Sequence, residues 1–267
     1  MKLVSAARLR RAQEALLNAR PYHESLKRVS DSLLGSAPEA MAPVENARRT
    51  ALILVVTSDR ALCGGYNANL LRIAEETARK SAAEGLEVKF FAIGRKALDH
   101  FRRVKAPLDG DRINNTPRLA TVGLARDLAA KVLSDFRSGA IVEAGVVYSA
   151  FRSALSQRPT YDKLLPVEPP KPSEDGGATV SAGYTIEPSA AELVPVVLRS
   201  YVEAAIFHAL LEGEASEHGA RMTAMDSATN NAADMIARLT LEMNRARQAQ
   251  ITRELMDIVG GAEALRG

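Results

Sequence analysis

The sequence predicts an α/β protein with long helices, in which terminal helices flank a smaller mixed domain. Three observations point there. The first residues carry apolar side chains at helical 3-4 spacing without any strand signal. The middle alternates β-branched apolar runs with stretches of helical period. The last ~70 residues read as one helix, which at ~1.5 Å per residue would span roughly 105 Å, longer than any globular core of this size.

Each element follows from local pattern. From Met1 to about Leu34, Leu9, Ala12, Leu16, Ala19, Leu26 and Leu33 fall near a 3-4 spacing, the narrow seam of a coiled-coil helix over 1–34. Pro21 removes one backbone donor and is expected to kink that helix. "GSAPEAMAP" (35–43) breaks the pattern with Gly and Pro and reads as a loop. "TALILVVTS", from Thr50, is a buried-type strand that runs into "DRALCGGYN"; "ANLLRIAEETARKSAAEG" then has helical period and "LEVKFFAIG" is a second strand. A helix over 119–136 and a third strand, "EAGVVYSAF" (143–151), continue the alternation. Residues 50–165 therefore predict a small, mainly parallel, Rossmann-like sheet with helices on its faces. "LLPVEPPKPSEDGGATVSAG" (164–183) is rich in Pro, Gly and acid, so 166–188 reads as a linker excursion.

The long helix is expected over 189–260, with Pro195 tolerable in its first turn. In its middle, Met222, Met225, Ala228, Ala232, Met235, Ile236, Leu239 and Met243 form one stripe, for which the N-terminal seam is the available partner. Beyond it, "MNRARQAQITRELMDIVGGAEAL" is a strong helix former until Gly260–Gly261 but has no apolar side. Ile251, Leu255, Met256, Ile258 and Val259 are scattered among Arg245, Arg247, Gln248, Gln250, Thr252, Arg253 and Glu254. A helix packed on one face shows a stripe. This one predicts surroundings that touch it from all sides.

Composition bounds the function. The 267 residues are 46% hydrophobic and 25% charged, and 35 Lys+Arg against 32 Asp+Glu leave +3, too balanced to demand a nucleic-acid partner. The excess is local: residues 1–28 hold seven basic and two acidic side chains, a net +5 suited to an acidic partner. An Arg-rich, acid-poor start is also how a mitochondrial presequence reads, although the periodicity here continues past Arg20. The single cysteine, Cys63, excludes an internal disulfide and a cysteine-based zinc site, and His23, His100, His208 and His218 lack metal spacing. No metal or cofactor is expected. "ALILVVT" is far short of the ~20 apolar residues of a membrane span.

Catalytic readings fare poorly. Glycines between a strand and a helix can cradle phosphate, yet "SDRALCGGYN" offers neither G-x-G-x-x-G nor a Lys-Ser/Thr after the glycines. Gly64 and Gly65 read instead as a tight structural turn. Cys63 has no histidine placed by the sequence to activate it, and Asp59 with Arg60 reads as a turn-stabilising pair. No G-x-S-x-G, H-E-x-x-H or paired-carboxylate pattern is present.

Four stretches, "MKLVSAARLRRAQ" with "RPY", "TSDRALCGGYN", "ARMTAMDSATNNA" and "NRARQAQITRELMDIVGGAEAL", together resemble the gamma subunit of F-type ATP synthases. The C-terminal stretch is the most specific, since Ile251, Thr252, Glu254, Asp257, Gly261 and Ala262 fit the family signature. The resemblance implies a non-catalytic central rotor: terminal helices paired as an antiparallel coiled coil inside a ring of alternating alpha and beta subunits, with the middle domain at the foot near the epsilon subunit and the c-ring. It implies that Arg247, Gln248 and Thr252, with Arg221 further down, make polar contacts to the ring. Met1 and Lys2 match a position near the acidic lever segment of beta. Family members carry about twenty residues before the position of Met1, so in-frame codons continuing the helical seam are expected upstream, or else a truncation. The absence of the cysteine pair of chloroplast members points to a bacterial type, on the cytoplasmic face of the inner membrane. The rival reading is a nucleotide-binding α/β enzyme with a helical oligomerisation arm, which would bind ATP on its own. A free-standing coiled-coil adaptor would self-associate through the long helix.

Overall fold

The structure, a computed structural model, describes residues 2–36, 47–112, 120–167 and 189–264, without the side chains of 31–36, 112 and 190–191. In chain order the elements are α1 (Lys2–Ser36), β1 (Thr50–Val56), α2 (Tyr66–Ala83), β2 (Glu87–Ile93), α3 (Arg95–Arg103), β3 (Leu108–Arg112), α4 (Val122–Arg137), β4 (Glu143–Phe151), β5 (Gln157–Leu165) and α5 (Ala190–Ala264). The expected Leu33 side chain, most of the 35–43 loop and most of the 166–188 excursion lie outside the described residues. The chain forms two compact units, Met1–Thr223 and Ala224–Gly267.

The sheet has the order β3-β2-β1-β4-β5. The β1–β2, β1–β4 and β2–β3 pairings are parallel and β4–β5 is antiparallel. β1 is central and buried throughout, which is why it reads as an unbroken apolar run. Its side chains alternate between two cores. Leu52, Leu54 and Val56 face α4 and α5 together with Phe91, Ile93, Val146 and Tyr148. Ile53 and Val55 face α2 and α3 with Phe90, Ala92 and Val147.

Three elements extend the sequence expectation. β3 and β5 are edge strands and α3 has only nine residues. The predicted sheet gains one strand at each edge, and β5 makes it mixed. Thr121 caps α4 through its side chain, accepting the Leu124 N–H at 3.2 Å.

α1 continues through Pro21 as one helix. Among its buried and half-buried positions, Ser5, Leu9, Ala12, Leu16, Ala19, His23, Leu26 and Ser30 follow a 4-3 alternation, flanked by half-buried Ala6, Gln13, Ala15 and Val29. Leu9 and Ala12 cluster with Ala215 and Met222, Leu16 joins the main core with Leu210 and Leu211, and His23 meets His208. Rising numbers on α1 meet falling numbers on α5, so the two helices are antiparallel. Of the stripe expected to partner α1, Met222 is among these contacts. The lower part of α5, around His208–Met222, fills that role, while Ala228 to Met243 are exposed. Periodicity finds a seam but not the register between two seams.

α5 differs from expectation at both ends. Pro195 lies in the second turn, since the helix begins at Ala190, and the helix passes through Gly260 and Gly261 to Ala264. By length and composition alone α5 would qualify as a membrane span. Val194, Leu198, Val202, Ile206 and Leu210 are instead buried in the main core.

Candidate partner surface

The turn between β1 and α2 is held by its own polar side chains. Gly64 has φ +56, a left-handed conformation that glycine adopts without strain, and Gly65 is the N-cap of α2. Cys63 and Tyr66 close the turn, the Tyr66 N–H donating to the Cys63 carbonyl at 3.2 Å. The Ser58 N–H donates to Asn67 Oδ1 at 3.0 Å, and Asn67 Nδ2 donates to Ser58 Oγ at 2.8 Å and to Cys63 Sγ at 3.1 Å. Asp59 Oδ1 accepts the Arg95 N–H at 2.8 Å, capping the start of α3. Asp59 therefore serves α3, where the sequence suggested a pair with Arg60.

This geometry suits a fixed loop and not a nucleophile. Cys63 is buried, and its hydrogen-bond partners among the described residues are Ser58, Asn67 and the Arg60 carbonyl, none of them a base. Gly64 and Gly65 line neither of two cavities, of about 500 and 200 Å³, formed by described residues. The tip itself, Arg60 to Leu62, is exposed, and Leu62 takes a left-handed φ of +68. A rigid network thus presents an apolar side chain to solvent. No periodicity marks that feature in the sequence, because it depends on one backbone angle.

Arg221 is 8% exposed and fastens this loop to α5. Its Nη1 donates to Glu217 at 2.6 Å, and Nη2 reaches the carbonyls of Arg60 at 3.4 Å and Ala61 at 3.5 Å. Burial raises the Glu217 carboxyl above its ordinary range, and the Arg221 charge and hydrogen bond oppose that rise. The Tyr66 hydroxyl donates to the Gly213 carbonyl at 3.0 Å, a second tie between loop and α5.

The remaining expected contact residues fall into two places. Met1 lies outside the described residues, and Lys2 is exposed at the start of α1. Arg247, Gln248 and Thr252 are exposed in the Ala224–Gly267 unit, and among the described residues nothing pairs with them. They stand among apolar side chains that are equally uncovered. Met243, Ile251, Leu255, Met256, Ile258 and Val259 are all exposed, Met256 to 68%. Isolated exposed apolar residues are ordinary, but this many on one helix mark an interaction surface. What the turn network leaves unabsorbed is therefore an uncovered helix with mixed chemistry on every side.

A family model described as ATP synthase matches residues 1–265. An ATP synthase gamma chain of Pelotomaculum thermopropionicum is 44% identical over 99% of this chain and 92% of its own length. That of Geotalea daltonii is 44% identical over 100% and 92%. The fold resembles a chain in the mitochondrial ATP synthase central stalk and c-ring of Tetrahymena thermophila, with a TM-score of 0.64 and 22% identity over 86% of this chain and 97% of that one. A chain of the Euglena gracilis mitochondrial ATP synthase gives 0.62 and 20%, covering 97% and 95%. The sequence resemblance carried by the four quoted stretches thus extends to the whole chain, which belongs to the ATP synthase gamma chain family.

Proposed function

We propose that this chain is the central stalk of a proton-translocating F-type ATP synthase and couples rotation of a membrane c-ring to ATP synthesis or hydrolysis in the beta subunits. The observation that carries the reading is the uncovered helix over 224–264, half apolar and half polar on all sides. A sleeve of other subunits satisfies such a helix where a single packed neighbour would not. One gamma chain would stand in a ring of three alpha and three beta subunits, with the epsilon subunit and the c-ring at the foot. Association with the membrane would pass through the complex, on the cytoplasmic face of a bacterial inner membrane.

The role is mechanical, and the chain itself is non-catalytic. An asymmetric helix presents different side chains to each beta subunit as it turns, and each face favours an open or a closed conformation by differential binding. Arg247, Gln248 and Thr252 are the polar contacts to the ring. Arg221 contributes by fixing the exposed 60–62 tip, and Met1 with Lys2 brings the basic N-terminal end to the acidic lever segment of beta.

The test is the purified chain. It should bind no nucleotide saturably and hydrolyse no ATP, and from membranes one copy should copurify with three alpha and three beta subunits. Stoichiometric ATP binding by the isolated chain, or a homodimer lacking those partners, would refute the reading.

A further inference from the structure

Where α1 packs on α5 beside β5, His23 and His208 lie face to face. Their ring centroids are 4.4 Å apart and the planes are 11° from parallel. His23 occupies a seam position of α1, between Ala19 and Leu26. The Nδ1 atoms of both rings are buried and have no hydrogen-bond partner among the described residues. A cavity of about 200 Å³ adjoins the rings, lined also by Lys27, Asp162, Lys163 and Tyr201.

Two histidines in contact first suggest a metal. The geometry argues otherwise, because imidazole lone pairs lie in the ring planes and stacked rings send them along parallel lines. No group of three His, Cys, Asp or Glu among the described residues is placed to hold an ion. Protonation is the chemistry left to such a pair.

We propose that the His23–His208 stack is an acid-sensitive clasp between α1 and α5, closed while both imidazoles are neutral and loosened when they take protons from water in the adjoining cavity. Two imidazolium rings at this separation repel each other. Arg20 and Lys27 on α1 add to the positive field, while Glu24 on α1 and Asp162 on β5 oppose it. Lys163 on β5 and Tyr201 on α5 complete the cavity wall, and the Tyr148 hydroxyl on β4 donates to Asp162 at 2.6 Å. Glu212 on α5 is the nearest carboxylate, with Oε1 3.5 Å from His208 Nε2. That oxygen also faces Arg20 at 4.0 Å, and the other accepts the Phe151 N–H.

Burial, then Lys27, lowers the pKa of His23, and burial, His23 and Arg20 lower that of His208 to about 4. A histidine whose folded pKa lies below its unfolded value binds fewer protons when folded. Its contribution to stability is therefore complete above about pH 6.5 and is lost as pH falls from there toward the folded value. His218, lowered to about 4 by burial, Arg221 and Arg8, acts in the same direction elsewhere on α5. Glu212, raised by burial, acts in the opposite one.

Amide hydrogen exchange along α1 of the full chain separates these contributions, comparing pH of about 7.5 with about 5.5 after correction for the intrinsic rate. Around His23 the wild-type opening equilibrium should rise about tenfold, the factor for one group whose pKa falls from 6.5 to about 4 on folding. The double variant His23→Phe/His208→Phe keeps two stacked rings and cannot titrate, so its protection at those amides should not change. An equal rise in both chains, or none in the wild type, overturns the proposal. Should the variant fail to fold, the imidazole resonances of the wild-type chain decide by titration. A His208 midpoint below about pH 6 is expected, and one at or above that overturns the clasp.

Discussion

Arg221 shows how much one side chain can carry. Its guanidinium is the counter-charge of Glu217 and reaches two loop carbonyls, all within a buried setting. Arg221→Ala leaves the Glu217 carboxylate buried without compensation, which should cost about 3 kcal/mol at neutral pH. The deficit should shrink as pH falls, because Glu217 is already displaced upward by burial and its protonated form needs no partner. Urea unfolding at pH 7 and at mildly acidic pH measures both effects, and a deficit independent of pH would assign the loss to packing. The sequence marked Arg221 as a partner contact because it sits in a motif stretch. Its burial depends on where α5 meets the 57–67 loop, and a contact between residues ~160 apart leaves no periodicity to read. The same holds for His23 and His208, each an isolated histidine in the sequence and a stacked pair in the fold.

At the scale of elements, legibility follows burial. β1, β2 and β4 read plainly because apolar cores cover both faces and force apolar side chains at consecutive positions. β3 and β5 did not. "LDGDR" and "QRPTYDKLL" are edge strands whose outer backbone faces no strand among the described residues, and they carry charges and Pro159. The α1 seam was visible as 3-4 spacing, and its polar members Ser5, His23 and Ser30 were not, since hydrophobicity alone cannot nominate them. Adjacent leucines test the seam directly. Leu16 is 3% exposed and joins the main core, whereas Leu17 is 61% exposed. Leu16→Ala should lower the unfolding free energy by about 2–5 kcal/mol, and Leu17→Ala should stay within about 0.5 kcal/mol of wild type. Comparable losses at both positions, measured by chemical denaturation, would put α1 in a different rotation about its axis.

For the whole molecule, the two units have separate logic. Met1–Thr223 holds the three hydrophobic cores, and Ala224–Gly267 leaves its large apolar side chains exposed, which fits the sleeve proposed above. Changing Arg247 and Gln248 together to Ala should remove charge-assisted hydrogen bonds worth about 1.5–3 kcal/mol each when shielded, while Ala preserves helix propensity. Circular dichroism of the free variant should match wild type, and ATP-driven proton pumping by the reconstituted complex should fall. Unaltered pumping would remove these two from the set of torque-bearing contacts. Rotation of this chain inside the ring can be measured directly. With the alpha and beta subunits fixed to a surface and a bead attached to the middle domain of this chain, addition of ATP should turn the bead in one direction, in three equal steps per revolution. A bead that stays still while the same assembly hydrolyses ATP would contradict it.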